Sequence, residues 1–289
     1  MLIRVGTDQV IFAFRMASDP DGFRLFDRVG NETRIDLGDR SSLKMTDDGT
    51  LLLSHADGIA AVDPTREFFR QEFREVPLGH HPGAWDAAFL GVLVDCSNRV
   101  YSRFRVDTDA LEIDDPGYSG PTDATLLPDG HRVAITIARS PHIAIFDPVK
   151  RTTELVALGG GWGGNNAMLR QRALWLANYD RLCRINGDTL EMKSSAPLQP
   201  GFRDPEHGFM TAAFIGVPRY SETHGGWLIP RPYSGDILTV SEDTLEPVGR
   251  IGCGGRPYDV VEFDGGDLLI LDHPMEVVRT MPKPVVETI

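Results

Sequence analysis

The chain has 289 residues, 41% of them hydrophobic, and a formal net charge of −13. That composition supports a packed core and excludes a disordered chain. The acidic balance argues against nucleic acid and anionic membrane surfaces as partners, because both draw affinity from Lys and Arg. The N-terminal stretch MLIRVGTDQVIFAF lacks a basic run ahead of a long apolar segment, and it has no small-residue cleavage site. No window reaches the roughly 18 apolar residues of a membrane span. Cys96, Cys183 and Cys253 are far apart and odd in number, which fits reduced thiols in a cytoplasmic protein better than a disulfide frame. Asn31-Glu32-Thr33 spells a glycosylation acceptor and, without a secretion signal, is read as chance.

Taken in chain order, the predicted elements repeat. Glycine junctions stand at Gly38, Gly79, Gly120, Gly160, Gly201 and Gly254, in steps of 41, 41, 40, 41 and 53 residues. One unit precedes the first junction and one follows the last. Each unit opens with a short apolar strand ending in a turn, such as Leu43 to Gly49 or Ala124 to Gly130. A second apolar strand follows: Leu51-Leu52-Leu53, Val92-Leu93-Val94, Val133-Ala134-Ile135, Leu174-Trp175-Leu176, Trp227-Leu228-Ile229 and Leu268-Leu269-Ile270. After a polar loop comes a third strand, as in Ile143 to Asp147, and then a more polar fourth, as in Thr153 to Leu158.

Continuous apolar runs mark strands buried on both faces, and alternation marks half-exposed ones. Four short strands per unit of about 40 residues, repeated around a ring, predict a single all-β β-propeller of four-stranded antiparallel blades. The expected count is seven, with blades near 1–38, 39–79, 80–120, 121–160, 161–201, 202–254 and 255–289. A six-bladed ring with a decorated start is the alternative. The stretch Arg66 to Arg74 is the one extended helix candidate and reads better as a loop or strand elaboration. The sixth unit is expected to carry an insertion, Pro218 to His224, between its first two strands, and the last unit to supply four strands of its own. Leu2 to Val5 would begin the first blade or complete the last.

The stretch Pro121-Thr122-Asp123-Ala124-Thr125-Leu126-Leu127-Pro128-Asp129-Gly130, followed by an apolar strand and Ile143 to Asp147, resembles blades of a broad propeller group. That group comprises the SMP-30/gluconolactonase, NHL-repeat, streptogramin-lyase-like and YVTN (YncE-like) families. The resemblance implies the fold. From the SMP-30-like enzymes it implies a divalent metal held by channel-facing Glu, Asn and Asp. No matching Glu stands in the first blade, and Asn166 and Asp259 are loosely equivalent channel positions. Trp85-Asp86 falls at the start of an inner strand rather than the end of a blade, so it does not match the Trp-Asp of WD40 repeats.

Aligned innermost strands bring Ser42, Asp86, Asp123, Asn166, Thr211 and Asp259 to equivalent places at the mouth of the central channel. Asp86, Asp123, Asn166 and Asp259 are candidate ligands for Ca²⁺, Mg²⁺, Mn²⁺ or Zn²⁺. The competing reading has these residues pinning neighbouring backbone amides. His80, His81 and His207 lie in loops entering inner strands, and His142 and His273, with His55, in loops joining second to third strands. These loops share one face, so His80, His81, His142, His207 and His273 are candidate acid–base groups. His131 and His224 fall on the other face.

The histidine-bearing face also carries Trp85, Trp162, Tyr179, Phe209, Tyr233 and Tyr258, with Arg40, Arg139, Arg231 and Arg256. Of these, Trp85, Trp162, Tyr179, Arg139, Arg231, Arg256 and Tyr258 are the candidate substrate-binding residues. Aromatic walls with a few charges describe a small-molecule pocket and equally a protein-binding hot spot. The run Gly159 to Gly164 lacks the ending of a phosphate loop, so no nucleotide cofactor is expected. Two functions follow. One is an enzyme that hydrolyses an ester or lactone, or carries out an elimination, on a small ligand. The other is a non-catalytic platform for a protein or peptide.

Overall fold

The computed structural model describes residues 2–5, 9–12, 22–36, 42–45, 51–55, 58–62, 74–76, 88–94, 100–107, 121–129, 132–137, 142–147, 150, 152–159, 164–200, 202–203, 210–211, 214–272 and 277–289. All of the regular structure among them is β. The first sheet holds β1 (Leu2–Val5), β2 (Gln9–Phe12), β3 (Gly22–Asp27) and β4 (Glu32–Asp36), in that order. The second holds β5 (Ser42–Met45), β6 (Leu51–His55), β7 (Gly58–Val62) and β8 (Arg74–Val76). Strands β9 (Ala88–Val94) and β10 (Val100–Asp107) pair with each other.

The next four-stranded sheet runs β11 (Pro121–Leu126), β12 (Val133–Ile137), β13 (His142–Asp147) and β14 (Thr152–Ala157). It is followed by β15 (Gly164–Arg170), β16 (Ala173–Asn178), β17 (Arg181–Asn186) and β18 (Met192–Ser194). A small pair, β19 (Phe202–Arg203) and β20 (Met210–Thr211), precedes β21 (Arg219–Ser221), β22 (Gly226–Arg231), β23 (Asp236–Val240) and β24 (Pro247–Gly252). The last sheet has β25 (Pro257–Glu262), β26 (Leu268–Asp272) and β27 (Val278–Met281), and β28 (Glu287–Thr288) comes after it. Every pairing is antiparallel.

Where burial is described, the second strands are apolar at their centres because both of their faces are buried. In β16, Leu174 and Leu176 pack toward the β11–β14 sheet with Ile143, Ile145 and Leu158. Ala173, Trp175 and Ala177 point the other way, against Trp227, Ile229 and Leu238 of the following sheet. The same division recurs in β26. Leu268 and Ile270 join Leu228, Ile237 and Ile251 on one side, and Leu269 and Leu271 join Phe26 on the other. These sheets are thus layers in a stack whose cores lie between neighbours, the arrangement of propeller blades.

Four of the described turns between third and fourth strands share one device. Asp27 accepts from the Asn31 amide (2.8 Å), Asp147 from that of Lys150 (3.0 Å), Asn186 from that of Thr189 (3.0 Å) and Ser241 from that of Thr244 (3.3 Å). A short polar side chain at the end of the third strand satisfies turn amides that no ladder reaches. The tetrapeptide Asp-Thr-Leu-Glu occurs at 188–191 and again at 243–246, and its leucine takes a left-handed φ both times, 62° at Leu190 and 60° at Leu245.

The ring closes through the first and last sheets. Strand β25 lies alongside β1, and Phe26 of β3 packs on Val261, Phe263, Leu269 and Leu271. Arg28 Nε donates to Asp267 at 2.9 Å. Three expectations about the late part of the chain are corrected. Arg219–Ser221 is not part of an insertion between strands; it is the innermost strand, β21, laddered to β22. Thr211 belongs to the separate β19–β20 pair and so leaves the ring of equivalent positions. The last unit keeps three strands of its own, and its fourth, β28, crosses to the outer edge of β24. Gly249 makes room for this, since a Cβ there would meet Val286 Cγ1 at 2.5 Å.

Strand β1 is the inner strand of the first sheet, which answers where Leu2–Val5 goes. Of the helix candidate at 66–74, Arg74 stands in β8 and the rest lies outside the described residues. No helix of the described residues is long and apolar enough to cross a membrane.

Candidate functional site

At one end of the sheets the inner strands begin and the second strands turn into the third. Three inner strands carry a register irregularity there: β11 between Pro121 and Asp123, β15 between Asn165 and Met168, and β25 between Pro257 and Asp259. Bulges re-aim side chains and bend a strand away from its ladder. The aligned positions Asp123, Asn166 and Asp259 therefore coincide with a repeated backbone feature, which the spacing alone did not disclose.

In β25 the bulge is fixed from several directions. The Tyr258 carbonyl accepts from the Val217 amide at 2.7 Å. A Cβ on Gly216 would lie 2.0 Å from that same oxygen, so only glycine fits beside it. The Asp259 side chain is fully buried and accepts from both arms of Arg219, Nε to Oδ1 at 2.9 Å and Nη2 to Oδ2 at 3.0 Å, with the Val260 amide on Oδ1 at 2.9 Å. A cation at this carboxylate would face a guanidinium at hydrogen-bond distance. Asp259 therefore does not fit a metal ligand in this arrangement, and it does pin backbone and a neighbouring blade. Asp86 lies outside the described residues, and Asp123 and Asn166 are described only as backbone positions in β11 and β15. Among the described residues no three His, Cys, Asp or Glu side chains cluster.

Above this base stands an aromatic group. Phe214 meets Tyr233 edge-on, with centroids 5.2 Å apart, and Tyr258 likewise at 6.1 Å. Tyr233 sits in the β22–β23 turn, close enough to Tyr179 in the β16–β17 turn to feel its hydroxyl. Tyr179 has a left-handed φ of 56°, and its carbonyl accepts from the Ile215 amide at 2.7 Å. The Arg256 guanidinium lies 5.4 Å from the Tyr233 ring centroid, within cation–π reach.

Burial raises the Tyr233 hydroxyl pKa above its ordinary value, with the Arg256 charge pulling the other way. Burial, reinforced by the Asp259 charge, raises that of Tyr258. Both phenols therefore stay protonated near neutral pH and serve as hydrogen-bond donors, not bases. The described thiols are poor nucleophiles for the same reason. Burial pushes Cys183 up to about 12 and also raises Cys253.

Of the sequence-predicted substrate-binding residues, Tyr179, Arg231, Arg256 and Tyr258 stand at this one end. Arg231 is committed to structure, pairing with Asp236 across the β22–β23 turn (Nε to Oδ1 2.7 Å) and donating to the Leu198 carbonyl at 3.0 Å. Trp85, Trp162 and Arg139 lie outside the described residues, as do His80, His81, His207 and His273. His142 opens β13 at the same end, half-buried. Sequence reasoning missed Phe214, Arg219 and the Asp272–Arg279 pair. The two turn pairs had a readable signal, because Arg231 with Asp236 and Asp272 with Arg279 each flank a second-to-third strand connection.

No family model and no curated protein matches the chain. Solved structures do. A candidate 6-phosphogluconolactonase from Bacteroides uniformis superposes with a TM-score of 0.62 at 13% identity, over 98% of this chain and 95% of that one. A similar protein from Bacteroides fragilis gives 0.57 at 11%, over 98% of each chain. The WD40 β-propeller domain of Doa1 gives 0.57 at 10%, over 96% and 94%. The fold is a β-propeller. These likenesses extend over nearly the whole of each chain at very low identity, so they speak to fold and leave the chemistry to the site.

Proposed function

We propose that the chain is a seven-bladed propeller that binds a small polar metabolite at this end and acts on it, by ester or lactone hydrolysis or by elimination. The blades would be β1–β4, β5–β8, β9–β10, β11–β14, β15–β18, β21–β24 and β25–β27. The observation that carries the functional reading is the convergence of Tyr179, Phe214, Tyr233 and Tyr258 with Arg256 from three neighbouring blades around the bulge of β25. Half-buried rings supply apolar contact, and protonated phenols supply donors that fix a carbonyl or hydroxyl group. The presence of candidate 6-phosphogluconolactonases among the structural neighbours supports the lactone as first substrate class.

The acid–base group would be one of His80, His81, His142, His207 or His273. The test is turnover of 6-phosphogluconolactone, glucono-1,5-lactone and simple aryl esters by the purified chain, followed by single His→Ala variants. A catalytic histidine lowers the rate by about 100-fold or more at unchanged melting temperature. Full activity in all five variants removes the histidines from the mechanism.

The second reading is a platform for a protein or peptide. It draws on the same partly exposed tyrosines and arginine, residue types that dominate hot spots, and on WD40 domains among the neighbours. Failure of every lactone, ester and metabolite to react or to shift melting would favour it.

A further inference from the structure

Three of the described arginines at this end are each paired with an aspartate. Among the described residues, Arg219 holds Asp259, Arg231 holds Asp236 and Arg279 holds Asp272. Arg256 is exposed and has the Tyr233 ring beside it, but no described carboxylate pairs with it. In a chain of net charge −13, an exposed arginine with no carboxylate beside it among the described residues, at the rim of an aromatic group, stands out.

The backbone that carries Arg256 is held on both sides. Gly254 N donates to the Gly235 carbonyl at 2.8 Å. On the other side Arg279 Nη1 donates to the Cys253 carbonyl (2.9 Å) and Nη2 to that of Gly254 (3.0 Å). Arg279 is itself oriented by Asp272, Nε to Oδ2 at 2.6 Å and Nη2 to Oδ1 at 2.9 Å. Asp272 Oδ1 then accepts the Arg256 amide at 3.1 Å. Gly255 completes the clamp. It has φ 65°, and a Cβ there would stand 2.8 Å from both Arg279 Nη2 and Asp272 Oδ2.

The loop is thus tied by hydrogen bonds on both sides, and the Arg256 guanidinium projects from it. Such pre-ordering lowers the cost of immobilising a long side chain on binding.

We propose that Arg256 is the specificity-determining residue of the mouth, selecting ligands that carry an oxyanion, phosphate or carboxylate, on an apolar or planar body, and that the Asp272–Arg279 pair is its positioning element. The proposal rests on the small-molecule reading above, but its test needs no turnover. The ring of Tyr233 would take the body of the ligand and the guanidinium its oxyanion, in the bidentate geometry that arginine favours.

The probes are phenyl phosphate, benzoate and the neutral benzyl alcohol, titrated by calorimetry into the wild type, Arg256→Gln and Arg279→Gln. Phenyl phosphate and benzoate are expected to bind the wild type more tightly than benzyl alcohol. Arg256→Gln should weaken the two anions by about tenfold or more and leave the alcohol within about twofold. Arg279→Gln should reproduce that anion-selective loss, whereas a merely structural role would weaken all three alike.

Should Arg279→Gln fail to fold, the Arg256 Nε–Hε resonance of the wild type is followed instead. A saturable shift with phenyl phosphate and none with benzyl alcohol is expected. No anion binding, equal losses for charged and neutral probes, or an unmoved resonance would overturn the proposal. Selective anion binding without turnover of any lactone or ester would retain this inference and sink the enzyme reading.

Discussion

Two parts of the molecule are built from the same side-chain types and do opposite things with them. Between the β15–β18 and β21–β24 sheets, Trp175 and Trp227 stack with centroids 4.7 Å apart, and Tyr220 meets Trp227 edge-on at 5.6 Å. Arg170 lies over Tyr220 at 3.3 Å and is neutralised by Glu222 and Glu242, and Arg184 approaches Trp175 at 5.4 Å. The two indoles are 1% and 0% exposed. At the mouth, Phe214, Tyr233 and Arg256 make comparable ring and cation contacts while remaining partly open to solvent. The difference is removal from water. Aromatic burial in the seam contributes stability, and partial exposure at the mouth leaves surface for a ligand to cover.

The largest effect should come from the seam. Trp227→Ala removes a fully buried indole from between two blades and is expected to cost about 3–5 kcal/mol, read as a shift in the urea midpoint. Tyr233→Ala at the mouth should stay within about 1 kcal/mol of the parent. If the two variants were equally destabilised, the contrast between the regions would fall. Next comes the base on which the mouth stands. Arg219→Met takes both guanidinium hydrogen bonds from the fully buried Asp259 carboxylate and should cost about 3 kcal/mol. Asp259→Asn should cost less, because the Arg219 side chain, 22% exposed, still reaches water. The reverse order would mean that Arg219 rather than Asp259 is the group that cannot be left alone.

How much of this was legible depended on range along the chain. The second strands announced themselves because burial on both faces forces unbroken apolar runs, as in Leu174-Trp175-Leu176 and Leu268-Leu269-Ile270. The described turns after third strands are just as local, though unread beforehand: Asp147, Asn186 and Ser241 satisfy amides two or three residues away. Placing Tyr179, Arg231, Arg256 and Tyr258 at one end needed only the order of strands within a unit.

What stayed hidden was settled by partners far off in sequence. Reading 218–224 as an insertion concealed β21, and with it the Arg219–Asp259 pair forty residues apart. The crossing of β28 to β24 depends on Val286 finding the space above Gly249, which no repeat pattern encodes. The clamp on Arg256 escaped notice because Asp272 and Arg279 look like ordinary strand-end charges until Gly254 and Gly255 bring the backbone against them.

The smallest effect concerns the closure of the ring, where exposed polar pairs supplement the apolar packing around Phe26. Arg28, together with the Lys283 amide, holds the Asp267 carboxyl below the ordinary aspartate value. A lowered folded-state pKa means that the unfolded chain binds the proton more readily. The contribution is therefore complete above the ordinary aspartate pKa of about 3.9 and is lost as pH falls through the lowered value. Asp267→Asn should accordingly melt about 1–2 °C below the parent at pH 7, with the gap closing as the pH is taken below about 3.9 and shrinking in high salt. The control is Asp188→Asn, whose carboxyl is lowered by Arg172 within one blade and should follow the same pH course. Because Asp267 joins the first sheet to the last, its loss should also raise hydrogen exchange in β1 and β25, whereas Asp188→Asn should leave those strands unchanged. Equal exchange in both variants would show that the apolar contacts of Phe26 with Val261 and Leu269 close the ring without help from the charges.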